Sequence, residues 1–160
     1  MEQSTPVPKR SWVTLLAGTA FMGVWYALGL MRREPNQGLV DHLGGSDWAS
    51  LQAETTAATE LVATLVGGVG MLGLALVALA VTLIVGPYRR GERWSWQALW
   101  AVPVVHVALF VNDLTGFPTA DTEVGTYGVL FLVTAVVCTI GLLLGVGAVL
   151  RRRQDTFEPA

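Results

Sequence analysis

The chain has 160 residues, of which 52% are hydrophobic and 14% are charged, and its formal net charge is −2 at pH 7. Its mean hydropathy is +0.54, which is high for a soluble protein. This balance excludes a soluble globular protein, because too few polar residues remain to form a water-facing surface. The single cysteine, Cys138, excludes an internal disulfide and any metal site built on a pair of cysteines.

Four apolar stretches are long enough to cross a membrane as helices. About 20 residues of helix cross a hydrocarbon layer of about 30 Å, at 1.5 Å rise per residue. We therefore predict an all-α fold, a four-helix transmembrane bundle that forms a single integral membrane domain over residues 1–160. The spans are predicted at residues 12–31, 57–85, 96–114 and 125–150.

The basic residues predict the orientation of the spans, since Lys and Arg close to a span stay preferentially in the cytoplasm. Only Arg32 and Arg33 fall on the predicted outer side, which also carries eight of the twelve acidic residues and so has a formal charge of −6. We predict a multi-pass protein with both termini in the cytoplasm. The basic residues on the predicted cytoplasmic side are Lys9, Arg10, Arg89, Arg90, Arg93, Arg151, Arg152 and Arg153.

Residues 32–56 join the first two spans and are predicted to contain a short extracytoplasmic helical segment. Ser46 is predicted to cap its amino end, with Asp47 in the first turn. A helix that begins there and runs on into the second span is too long for the bilayer, so we predict that it projects outward or bends; a break between Thr55 and Thr59 is the alternative.

The two ends of the chain give separate expectations. The first span is expected to be uncleaved, because it is longer than the apolar core of a signal peptide and lacks a small-x-small cleavage site. Residues 154–160 are short and polar and are predicted to be a disordered tail.

Aromatic residues and a proline mark the predicted ends of the spans. Tyr88 is predicted at the inner membrane interface and Tyr26 near the outer one, where tyrosine is commonly found. Gly86 and Pro87 are predicted to end the second span, because proline cannot continue the helical hydrogen-bond ladder.

Small residues recur at helical spacing within the second and fourth spans, including a G-x-x-x-G pattern. Such residues let helix backbones approach closely in lipid. We predict that they pack the helices of the bundle; a contact with a second copy or another protein is the alternative, and the spacing does not decide between the two. The predicted packing residues are Gly67, Gly70, Cys138, Gly141 and Gly145.

His106, Asp113 and Glu60 form the candidate intramembrane polar site. His106 lies near the middle of the third span, Asp113 follows on the same face, and Glu60 begins the second span. Together they could line a route for protons or cations. In the structural alternative, His106 bonds to a threonine or a backbone carbonyl, Pro103 frees the carbonyl of Leu99, and the two acids lie among the lipid headgroups.

Other chemistries find little support in the sequence. A metal site built from His42, His106, Asp113 and Glu60 is chemically allowed, but the spacing is not diagnostic, so no metal is predicted. No phosphate-binding glycine loop, catalytic serine motif or pair of catalytic carboxylates is visible, so no catalytic residue and no cofactor is assigned. The arginines adjoin predicted membrane surfaces and fit anionic lipid headgroups better than nucleic acid.

The stretch YRRGERWSWQALW, residues 88–100, resembles the tract between the second and third spans of small uncharacterised prokaryotic four-span membrane proteins, some of them DoxX-like in layout. The resemblance covers this loop and the hydropathy pattern. It implies a four-span architecture and a location in a prokaryotic inner membrane, and it implies no particular reaction.

Three functional hypotheses follow. The first, which we predict, is a non-catalytic membrane subunit that packs as a four-helix bundle with copies of itself or with other membrane subunits. Its acidic outer face could bind a basic partner or gather cations. The second is a small proton or cation transporter or channel component that uses His106 and Asp113. The third is a membrane enzyme that binds a lipid or quinone beside His106.

Overall fold

The computed structural model describes residues 6–35, 40, 47–116 and 126–151 of the chain. All regular structure in these residues is helical, which confirms the predicted all-α class. The helices are α1 (Lys9–Arg32), α2 (Trp48–Glu54), α3 (Thr56–Leu83, which continues as a π-helical turn over Ile84–Tyr88), α4 (Arg93–Leu99), α5 (Ala101–Gly116) and α6 (Thr126–Arg151).

Four helical segments are long and apolar enough to cross a membrane, so the chain is a multi-pass membrane protein. The first span is α1, the second is α3 with its π-helical turn, the third combines α4 and α5, and the fourth is α6. The bounds of all four spans fall within three residues of the predicted ones. The spans cover Lys9–Arg32, Thr56–Tyr88, Arg93–Asn112 and Gly128–Leu150.

The second span ends later than residue 85, where the sequence predicted its end. The helix continues through Gly86 and Pro87 as far as Tyr88, in a π-helical turn. Pro87 lacks the N–H of an ordinary helical turn, and the wider π turn accommodates it. The helix therefore ends one residue after Pro87, close to its predicted end, and its last residue, Tyr88, is fully buried in the bundle.

The third span also begins earlier than predicted, at Arg93, and it contains an irregular turn at Trp100 between α4 and α5. Pro103 accounts for this turn, because it offers no N–H to the carbonyl of Leu99 and its ring crowds that carbonyl. The N–H of Trp100 turns back to the carbonyl oxygen of Gln97 at 3.2 Å. The sequence analysis predicted that Pro103 frees the carbonyl of Leu99, but it did not predict the irregular turn at Trp100.

The segment between the first two spans contains the predicted short helix, α2. Its N-cap is Asp47, one residue later than the predicted Ser46, and the Asp47 carboxylate accepts a bond of 2.7 Å from the N–H of Ser50. The Ser50 hydroxyl faces the N–H of Asp47 in return, which completes a capping box. The helix then breaks at Thr55, whose φ of −139° and ψ of 73° are not helical. Residues 36–39, 41–46 and 154–160 lie outside the described residues.

The first span is the centre of the bundle. It packs antiparallel against α3 on one side and against α6 on the other, and α6 packs in turn against α5. The second and third spans are joined mainly at one end, where α4 meets the π-helical turn and the end of α3. The helices are therefore arranged in the spatial order α3, α1, α6, α5.

Charged side chains lie next to two contacts between the first and second spans, one at each end of the bundle. At one end Ser11 bonds to Tyr88, and the next residue, Arg89, has its guanidinium 4.5 Å from the ring centre of Trp12. At the other end the side chain of Arg33 lies over Gly67. About 21 residues of helix separate Gly67 from Tyr88, or about 32 Å, which matches the thickness of the hydrocarbon layer.

The first three turns of α3 extend beyond the level of Arg33. Residues 56–66 precede Gly67, so this projecting part of α3 is about 16 Å long. A guanidinium is costly to bury in hydrocarbon, so we expect the level of Arg33 to mark the membrane surface at this end of the bundle. We therefore expect the second span to extend out of the bilayer; α2 contacts the beginning of α3.

Candidate functional site

His106 lies on α5, inside the bundle, and only 1% of its surface is exposed. Its Nδ1 is 2.7 Å from the carbonyl oxygen of Val102, one turn earlier in the same helix. Its Nε2 is 3.3 Å from the hydroxyl oxygen of Tyr26 on α1. Both ring nitrogens therefore have partners, one within its own helix and one across a helix interface.

The partners determine which nitrogen of His106 carries the proton. A carbonyl oxygen can only accept, so Nδ1 must donate to Val102. In the neutral ring Nε2 then accepts, and the hydroxyl of Tyr26 donates to it, over a distance that is long for a hydroxyl donor. In the protonated ring Nε2 would donate and the same hydroxyl would accept. The pair can therefore take up a proton without losing either contact.

Tyr26 reaches His106 because a glycine on α3 leaves room for its ring. A Cβ added to Gly73 would overlap the Tyr26 ring, so only glycine fits at that position. The ring of Phe131 on α6 makes an edge contact with the ring of His106, with a centroid distance of 6.1 Å. The His106 cluster, which we define as Gly73, Tyr26, His106 and Phe131, thus draws one residue from each of the four spans.

A second polar cluster lies at the opposite end of the bundle. The Ser11 hydroxyl donates to the carbonyl oxygen of Gly141 at 2.7 Å, and the Tyr88 hydroxyl is 2.7 Å from Ser11 Oγ. Because the shorter bond to the carbonyl uses the single proton of Ser11, Tyr88 donates to Ser11, and the Gly141 oxygen lies 3.5 Å from the same Tyr88 hydroxyl. A Cβ at Gly145 would overlap the Tyr88 hydroxyl. We call Ser11, Tyr88, Gly141 and Gly145 the Ser11 cluster.

The three residues of the predicted intramembrane site are not brought together in the part of the chain that can be described. Glu60 is exposed on the projecting part of α3, about 10 Å beyond the level of Gly67. The side chain of Asp113 and all of His42 lie outside the described residues. No hydrogen bond or ion pair joins Glu60 to His106, and no group of three potential metal ligands occurs among the residues described.

The predicted packing residues lie in contacts between the helices of one chain. Gly70 faces the Tyr26 carbonyl and the Leu30 N–H, each 3.0 Å from where its Cβ would be. Cys138 is fully buried and has the Thr19 hydroxyl as a side-chain partner. Gly141 faces the backbone of α1, with the N–H nitrogen of Leu15 at 2.9 Å from an added Cβ, while Gly67 and Gly145 make the contacts already described.

The polar atoms of the interior are nearly all satisfied within the chain. Thr59 and Ser95 bond to carbonyl oxygens of their own helical turns or caps, as does Thr19, which donates to Leu15 O at 2.8 Å. Among the buried side chains that the structure describes, only the hydroxyl of Thr134 has no partner. Thr134 is 1% exposed and lies on α6, one turn from Phe131 and one turn from Cys138.

The sequence did not predict that two residues of these clusters would be buried. Tyr26 and Tyr88 were predicted near the membrane interfaces, and the structure shows that they are 6% and 0% exposed within the bundle. A tyrosine near the end of a span fits both positions, so its residue type alone gives no signal. The informative signal was Gly73, a second-span glycine outside the chosen packing set, because it marks the space that Tyr26 fills.

Comparisons with known proteins give no indication of the function. No family model matches the chain, and no curated protein or solved structure is significantly similar to it.

Proposed function

We propose that this chain is a non-catalytic integral membrane subunit that contributes its four-helix bundle to a homo-oligomer or a larger membrane complex. The observation that carries the proposal is that the buried polar side chains have their hydrogen bonds satisfied. In the described part of the bundle, every buried polar side-chain atom except Thr134 Oγ1 is hydrogen-bonded within the chain. A catalytic or conducting interior needs polar groups that are free to meet a substrate, and this one uses them to hold helices together.

The environment of His106 favours a non-catalytic subunit over an enzyme that binds a lipid or quinone. An acid or base must present a nitrogen to its substrate within hydrogen-bond reach. Here Nδ1 faces Val102, Nε2 faces Tyr26, and Phe131 covers a further side of the ring. With 1% of its surface exposed, His106 has little room for a bound molecule.

We also propose that the chain sits in a prokaryotic inner membrane with both termini in the cytoplasm. The basic residues near the Ser11 cluster, among them Lys9, Arg89 and Arg93, favour that end as the cytoplasmic one. The projecting part of α3 then faces outward and carries Glu60. The prokaryotic origin is what the resemblance of residues 88–100 implies, and it is part of this proposal; an acidic outer surface suits a basic partner or cations.

Purification from native membranes in mild detergent tests this proposal. We expect the chain to elute as a defined assembly, with other copies or other membrane subunits at a fixed ratio. His106→Asn should leave that ratio, and the activity of any complex, within about twofold of the parent, because a buried polar pair is worth only about 1 kcal/mol in membranes. A monomer free of stoichiometric partners would contradict the proposal.

A small proton or cation transporter remains the second candidate, because the Tyr26–His106 pair can exchange donor and acceptor roles when it takes up a proton. Asp113 follows His106 by two turns of α5 and could continue the route. This candidate requires His106→Ala or Asp113→Asn to abolish proton or cation flux into liposomes that contain the purified chain. Flux that survives both substitutions would eliminate it.

A further inference from the structure

Basic side chains gather at the end of the bundle where the second span meets α4. The N–H of Val7 donates to the carbonyl oxygen of Arg89 at 3.3 Å, and the Arg89 guanidinium lies over the ring of Trp12. Lys9 and Arg10 come between these two contacts along the chain, so they lie beside Arg89. All three basic side chains are exposed.

Little negative charge offsets these cations. Glu92 is the acidic residue of the loop, and both of its oxygens are engaged: Oε1 accepts from Arg90 Nε at 2.8 Å, and Oε2 accepts from Trp94 Nε1 at 2.7 Å. Arg89 and Arg93 form no ion pair with the residues that the structure describes. The eight basic and four acidic residues assigned to this side of the membrane have a formal charge of +4, so positive charge remains even if every acid is paired.

Trp12 positions the guanidinium of Arg89. The cation lies 4.5 Å from the ring centre, where the electrons of the ring attract it. None of its five N–H donors has an acceptor among the described residues. A planar guanidinium with unused donors matches two oxygens of a phosphate group. Arg89 is therefore held in place as a ligand for a phosphate.

The neighbouring side chains favour a membrane lipid over a soluble anion. Arg89 follows directly after the length of helix that matches the hydrocarbon layer. One turn earlier, Val85 is exposed, and so is Val13, next to Trp12 on α1. A ligand at this position meets a cation at one level and apolar side chains at the next, which is the division within a phospholipid.

We propose that Arg89, Arg93, Lys9 and Arg10 form a site for the headgroup of an anionic phospholipid from the surrounding bilayer. Arg89 binds the phosphodiester, and the other three basic residues favour a headgroup with a net negative charge over a zwitterionic one. The acyl chains then run past Val85. This inference is independent of the proposed subunit role, because a single chain supplies every residue of the site.

Native mass spectrometry of the full chain tests the site, with the chain released from detergent micelles that contain equal amounts of phosphatidylglycerol and phosphatidylcholine with the same acyl chains. We expect the parent to retain phosphatidylglycerol at least fivefold more often than phosphatidylcholine. Arg89→Gln should reduce this preference about fivefold, the effect of one basic residue at an anionic membrane surface.

Arg90→Gln is the matched control, because it removes the same charge from the neighbouring residue, which is already paired with Glu92. It should change the preference by less than about twofold. Trp12→Leu keeps every charge but releases the Arg89 guanidinium, so it should lower the preference about twofold or more. Unfolding in mixed micelles checks that each variant is folded.

Each outcome bears on the lipid site. A parent without a preference for phosphatidylglycerol would overturn it, and so would equal losses in Arg89→Gln and Arg90→Gln, because net charge alone would then attract the lipid. Displacement of the lipid by glycerol phosphate would assign the surface to a soluble anion. If Arg89→Gln releases another subunit and leaves the lipid preference unchanged, the surface binds an acidic protein, and only the subunit role stands. A monomer that retains phosphatidylglycerol through Arg89 keeps this inference and loses the subunit role.

Discussion

The Ser11 cluster and the His106 cluster have similar architectures but differ in the hydrogen bonding of their tyrosines. Each places a tyrosine hydroxyl between helices, and each depends on a glycine whose Cβ would overlap that tyrosine, Gly145 in one case and Gly73 in the other. In the Ser11 cluster, the acceptor of the tyrosine bond is a hydroxyl that also donates to a carbonyl. In the His106 cluster the acceptor is a ring nitrogen with no other partner in the described part of the chain.

This difference decides what the loss of either tyrosine hydroxyl would leave behind. Without the Tyr88 hydroxyl, Ser11 still donates to Gly141, so no donor is left unpaired. Without the Tyr26 hydroxyl, Nε2 of His106 becomes a buried acceptor with no donor, which costs more than the bond itself contributed. The Ser11 cluster is therefore held by close backbone packing and a redundant bond, and the His106 cluster depends on one specific contact.

The largest effect should come from filling the closest backbone approach of the Ser11 cluster. Gly141→Val places a side chain against the backbone of Leu15, whose nitrogen lies 2.9 Å from the new Cβ and cannot move aside alone. We expect a loss of about 3 kcal/mol in the free energy of unfolding, measured by titration with a denaturing detergent in mixed micelles. Gly147→Val, in open space on the same helix, should change it by less than about 1 kcal/mol. Equal losses in the two variants would mean that helix propensity, and not the α1–α6 contact, dominates.

A smaller effect should separate the two tyrosines. Tyr26→Phe is expected to reduce the free energy of unfolding by about 1.5 kcal/mol, near the upper end measured for interhelical bonds in membranes, because it strands Nε2 of His106. Tyr88→Phe should cost about 0.6 kcal/mol, since Ser11 keeps its carbonyl partner. Adding His106→Leu to Tyr26→Phe should recover part of the loss, because both polar groups are then gone. A larger cost for Tyr88→Phe would reverse the ranking of the clusters.

The same comparison explains how far the sequence could predict the fold and the site. The spans were predictable because lipid requires a minimum length of apolar helix, a property of each segment alone. The π-helical turn at Pro87 and the irregular turn before Pro103 were not predicted, since a proline can stop, widen or break a helix depending on what packs beside it. His106 was found as the buried ionisable group, but its partner was not, because Tyr26 lies 80 residues away and reaches it through space left by Gly73.

A last effect, of opposite sign, concerns Thr134, which lies between the two clusters and belongs to neither. Its hydroxyl is buried without a partner, whereas that of Thr19, buried to the same degree on α1, donates to Leu15 O at 2.8 Å. Valine has nearly the shape of threonine, so Thr134→Val removes an unsatisfied polar atom and should raise the free energy of unfolding by up to about 1 kcal/mol. Thr19→Val removes a satisfied one and should lower it by about 0.5 kcal/mol or more.

The sign of the Thr134 result distinguishes a packed interior from a polar one. If Thr134→Val stabilises while Thr19→Val destabilises, the hydroxyl of Thr134 has no partner in the folded protein, and the space between the clusters is closed by side chains alone. If both substitutions destabilise by similar amounts, Thr134 has a partner in the membrane, such as a water molecule one turn from the ring of Phe131. That result would weaken the subunit proposal, because the proton route that competes with it needs polar groups between the two clusters.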